Sequence, residues 1–103
     1  MDIWLSVGDG DRPEVCVSYV AEQPWCRVLV DDFVFDSVEI DYVPELVGKV
    51  FAQDIEVHSR RRLSKTELRL EVVVEAEKFV AQVRRSGARI AGWEARALVD
   101  GVS

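Results

Sequence analysis

Residues 64–87 read SKTELRLEVVVEAEKFVAQVRRSG, and two periods compete in them. Leu68, Leu70, Val72, Val74 and Ala76 alternate with Glu67, Arg69, Glu71, Val73 and Glu75, the period of a strand buried on one face. Leu68, Val72, Ala76, Phe79, Val80 and Val83 also make a helical stripe, and Ser64 with Glu67 matches a capping box. Three successive β-branched residues at 72–74 lose side-chain freedom in a helix, so the reading assigns a strand to 66–74. The main helix is then expected over about residues 75–86. Glu75 and Glu77 in its first turn, Arg84 and Arg85 in its last and Gly87 just beyond it suit the helix dipole and its usual stop.

Outward from this stretch the period is mostly two. Ala91, Trp93, Ala95 and Ala97 alternate as a last strand, giving a strand–helix–strand unit. Upstream, residues 54–59 read as a strand that ends in a basic loop, Arg60-Arg61-Arg62. Leu46, Val47, Val50 and Phe51 lie at helical spacing behind Pro44, which predicts a short helix near 44–52. Ile3, Leu5 and Val7 mark a first strand and residues 14–20 a second. Two more strands follow between Trp25 and Tyr42, bent either at Asp31-Asp32 or at Asp36-Ser37. The expectation is one α+β domain over residues 1–103, with an antiparallel or mixed sheet of about five to seven strands.

At 103 residues, with 49% hydrophobic and 31% charged residues, the chain suits a single core. Asp2 stands where a signal peptide needs bases, and no apolar run approaches the ~20 residues of a membrane span. A soluble, cytoplasmic protein is expected, with no membrane partner. Cys16 and Cys26, ten residues apart, fit neither a disulfide framework nor a metal knuckle and read as two reduced, buried thiols.

Motifs for catalysis and cofactors are missing. Asp9 and Asp11 resemble a calcium loop only until Glu14 takes the place of the required glycine. No GxSxG, P-loop or dinucleotide fingerprint occurs, so neither cofactor nor metal is expected. His58 is the one histidine; it shares a strand face with Glu56 and could act as a base if a carboxylate oriented it. Glu71, on the polar side of its strand, is expected to tolerate replacement by Ala.

Charge is divided by position. Residues 1–56 carry thirteen acids and three bases, and residues 57–103 carry ten bases and six acids, within a net charge of −6. Arg60, Arg61 and Arg62 could grip phosphates, but a pI near 4.7 argues against direct nucleic-acid binding and leaves them as a second protein interface. Between Arg27 and Lys49 there are six acids and no base. Asp31, Asp32, Asp36, Glu39 and Asp41, with Phe33 and Phe35 taken to share their outer face, form the expected surface for a basic protein partner. The chain thus reads as a non-enzymatic binding module of the inhibitor or immunity type, whose acidic first half engages that partner. Bacterial immunity proteins and phage-encoded inhibitors share this size and charge. The alternative is a small homodimeric ligand-binding or enzymatic domain with a pocket near His58.

Overall fold

Alternating apolar residues separated by short polar turns form a meander in the first forty positions. The structure, a computed structural model, describes residues 1–6, 11–87 and 90–99, and of Ser6 and Arg62 the backbone alone. Strands β1 (Asp2–Ser6), β2 (Val15–Tyr19), β3 (Trp25–Val30) and β4 (Phe33–Glu39) pair antiparallel in that order. The bend between β3 and β4 falls at Asp31-Asp32, with Asp31 in the left-handed region. A 3-10 turn, Ile40–Tyr42, leads into α1 (Val43–Phe51). Pro44 sits in its first turn, and Val43, Leu46, Val47 and Val50 bury the stripe that packs towards β6.

The second sheet, β5 (Glu56–Arg62), β6 (Lys65–Val74) and β7 (Glu77–Ser86), is also an antiparallel meander. The domain is therefore α+β as expected, but it has two sheets rather than one. They share a single hydrophobic core, with β4 lying close to β7.

Two expectations are overturned in this half. Residues 77–86 are a strand, not the main helix, so α1 takes that role. β6 and β7 pair in unbroken register from Lys65↔Ser86 to Val74↔Glu77. Glu75 and Ala76 make the two-residue turn between them, with φ of 49° and 69°. Both central residues at positive φ is the geometry that matches strand twist, and it normally requires Asn or Gly. Lacking those residues, the turn leaves no signal. The second overturned expectation is the last strand: Gly92–Arg96 is a short helix, α2, with Ala91 donating its N–H to the Glu94 carboxylate at 2.8 Å. Its alanines fit a helix as readily as the alternation that suggested a strand.

A buried acid and a part-buried base close the join between the sheets. Glu94, fully buried, takes both terminal nitrogens of Arg85 at 2.6 Å, and Arg85 also reaches Asp32 at 2.6 and 3.1 Å. The Trp93 indole donates to Asp31 at 2.7 Å and meets the Phe33 ring edge-on, centroids 6.0 Å apart. Removing one partner of such a pair strands the other and costs about 3–5 kcal/mol.

The turn supplies a test of the hairpin. Ala76→Gly removes left-handed strain and should stabilise the domain by about 0.5–1 kcal/mol in urea unfolding. A helix at this position would be weakened by about the same amount, so the sign of the change decides between the two structures.

Candidate functional site

The acidic run does not form one surface. Phe33 and Phe35 are buried in the core, which corrects their expected place beside the carboxylates. The cause is a bulge. Cys26 pairs with Val38 but Val28 with Phe35, so Arg27 faces an extra residue, and Ser37 takes a positive φ of 56°. Parity reverses across the bulge, and Phe33, Phe35 and Val38 all point inward. Asp31 holds the Glu14 N–H and the Trp93 indole, both at 2.7 Å, while Asp32 holds Arg85. Asp36 is paired with Arg27 at 2.8 Å on the outer face of the first sheet.

Glu39 and Asp41 remain exposed, and no ion pair engages them among the described residues. They are joined by Glu75 of the β6–β7 turn and Glu77 at the start of β7, residues that the sequence reading places in the first turn of a helix. Tyr42, its ring edge-on to Phe79 with centroids 5.9 Å apart, lies within electrostatic reach of all four. Glu77, then burial, then Glu39, Glu75 and Asp41 push its phenol above the usual range. Beside this cluster lies a groove of about 710 Å³ lined by Pro24, Trp25, Ser37, Glu39, Ile40 and Asp41. Ile40 is 39% exposed there, a solvent-facing apolar side chain between two carboxylates. The part of this site contributed by Glu75 and Glu77 had no sequence signal, because only the hairpin carries them round to Tyr42.

A second cluster covers the outer face of β5–β6–β7. His58 Nε2 lies 3.1 Å from Glu56 and 3.6 Å from Glu71, and one ligand atom from each lies within 4.8 Å of the others. Glu71 is 7% exposed, so the side chain expected to tolerate replacement by Ala is a buried acid. Arg69 at 2.7 Å and Lys78 at 3.1 Å already neutralise it, so the positions a metal ion would compete for are filled by protein cations. Burial alone would raise the Glu71 carboxyl. The hydrogen bond from Lys78 and the charges of Arg69, His58 and Lys78 outweigh it and hold the group below the usual carboxylate range. Next to His58 a recess of about 290 Å³ is lined also by Ser59, Arg60, Arg69 and Gln82.

The basic run belongs to β5 instead of a loop. Arg60 stands opposite Glu67 and Arg61 opposite Thr66, so consecutive guanidinium groups leave opposite faces of the sheet. That division works against a joint grip on phosphate. Cys16 and Cys26 are buried and unbonded, and burial is the leading cause that raises both thiols. No helix among the described residues is long and apolar enough to cross a membrane.

Comparison with known proteins adds no relative: no family model, no curated protein and no solved structure matches the chain.

Glu71 gives a pH test. Its depressed folded value means that its stabilisation is complete above the ordinary carboxyl value of 4.5 and is lost as pH falls through the folded value. Glu71→Gln should therefore cost about 1–2 kcal/mol at neutral pH, discounted for its half-exposed partners. The gap between variant and parent should close in acid. Denaturant titrations at pH 7 and below 4 check both parts.

Proposed function

We propose that the chain is a non-enzymatic protein-binding module of the inhibitor or immunity type, which receives a basic surface of its partner on the Tyr42 cluster. The observation that carries this reading is the convergence of Glu39, Asp41, Glu75 and Glu77 around one phenol, without a protein cation among them in the described residues. Uncompensated carboxylates repel one another in the free protein, and a cationic partner relieves that repulsion on binding. The adjoining groove supplies the apolar element. Trp25 and Ile40 can accept the stem of a Lys or Arg whose head meets Glu39 or Asp41.

Of the seven residues expected to touch the partner, Glu39 and Asp41 keep this role in the proposal. Asp31, Asp32, Phe33 and Phe35 hold the fold, and Asp36 is neutralised by Arg27. A small-ligand or enzymatic role for the recess beside His58 is the second reading. It is supported by the 290 Å³ volume next to the one imidazole, and it ranks lower because Arg69, which lines that recess, is already paired with Glu71.

Glu39→Lys with Asp41→Lys and Glu77→Lys should slow association with the partner by at least roughly tenfold at low salt. Melting temperature should change little or rise, because mutual repulsion is removed. Capture from the source lysate by parent and triple variant, read by mass spectrometry, names the partner. Basic proteins retained by the parent and lost by the variant support the reading. Equal capture, or a partner lost only with His58→Ala, refutes it.

A further inference from the structure

The outer face of the second sheet brings cationic side chains from separate strands to one recess. Antiparallel register sets His58, Arg69 and Gln82 in one row across β5, β6 and β7, and Arg60, Glu67 and Arg84 in the next. Side chains directly opposite on one face start about 5 Å apart, and those two residues along a strand about 7 Å apart, so the two rows close on a single spot. There the recess of about 290 Å³ opens, floored by Ser59 and Leu68, whose side chains leave the opposite face.

Charge decides what the recess can hold. Glu67 is the one acid among the described residues that line it, and Arg84 already engages it at 3.5 Å. Arg60 stands directly opposite Glu67 on the other side, and no ion pair engages it among the described residues. Arg69 serves Glu71 through Nε at 2.7 Å, but a guanidinium carries five donors, so its fork is not exhausted. Exposed Gln82 adds a neutral amide donor. The recess thus sets two guanidinium groups against one acid that has its own cation, and a guanidinium matches the oxygens of phosphate or carboxylate bidentately.

We infer that this recess binds a small oxyanion, a phosphate or carboxylate group held by Arg60 and Arg69 with Gln82 as a further donor. Its volume lies at the lower end of small-molecule sites, which suits the anionic group with few atoms besides. Arg61 takes no part, because it leaves the other face of β5 opposite Thr66. Arg60 and Arg69 are exposed to water, so an affinity on the order of 1 mM is expected. The inference rests on the second reading above, a small-ligand role for this recess, and gives that reading its ligand class. It is independent of the Tyr42 cluster.

Titration of the full chain with sodium phosphate tests it, followed by amide and His58 ring signals in NMR at pH 7, with ionic strength held constant by sodium chloride. The expected result is saturable shifts confined to residues 58–60, 67–69 and 82, half complete at ~1 mM. Arg60→Gln should remain folded by circular dichroism and bind at least roughly tenfold more weakly. Arg61→Gln, the same loss of charge on the opposite face, should bind as the parent does. Equal weakening by both variants would reveal diffuse attraction to a basic hairpin and overturn the inference, and so would shifts that never saturate. Parallel titrations with sodium acetate and glycerol separate the ligand classes. Saturation by acetate alone upholds the inference and assigns the site to carboxylates. Glycerol acting where neither anion does refutes the anion class and leaves the small-ligand reading standing, whereas silence from all three removes both. Should Arg60→Gln fail to fold, the parent's shifts decide: confinement to the named residues upholds the inference, and a centre at Arg61 or Ser64 refutes it.

Discussion

Arg85 is the interaction on which the rest depends. It lies on β7 of the second sheet, with Glu94 of α2 on one side and Asp32 of the β3–β4 turn on the other. Its guanidinium also sits 5.7 Å from the centroid of Phe33, a core residue of the first sheet. Two carboxylates and a ring face use most of its planar donor fork, and together they raise its already high proton affinity. The two sheets are separate meanders with no shared strand. A directional, part-buried contact therefore helps to fix their relation where apolar packing alone would leave it loosely specified.

The polarised charge of the chain takes a different meaning in this light. Asp32 of the acidic half pairs with Arg85 of the basic half, and Asp11 likewise pairs with Arg96, which also reaches the Asp11 carbonyl. Trp93 adds a neutral donor to Asp31. Part of the division between an acidic first half and a basic second half is thus consumed within the molecule, where late elements fasten onto early ones. Glu39 and Asp41 of the first half and Glu75 and Glu77 of the second come together near Tyr42 with no ion pair engaging them among the described residues.

Part of the candidate site was legible in the sequence for a simple reason. Glu39 and Asp41 lie in a stretch without bases, and acids at the end of a strand stay in water. Glu75 and Glu77 were visible only as acids in a supposed helix start. The Glu-Ala turn lacks the Gly or Asn that its backbone usually requires, so its strain is carried by the ten-residue ladder on either side. Phe33 and Phe35 were misplaced because one residue at Ser37 reverses the face of everything before it. A period-two argument carried across an unseen bulge must fail.

The sequence by itself determined the α+β class, the strands β1 to β6 to within a few residues, the short helix behind Pro44 and the burial of both cysteines. These follow from local periodicity, from proline and turn residues and from β-branched runs, all of which act within a few positions of the chain. Only the tertiary structure decided that 77–86 is a strand, that the strands divide into two sheets, and that Asp31 and Asp32 are structural. Those outcomes depend on partners far apart in sequence, Asp32 with Arg85 and Asp31 with Trp93, and on a ladder that outweighs the preference of its own turn.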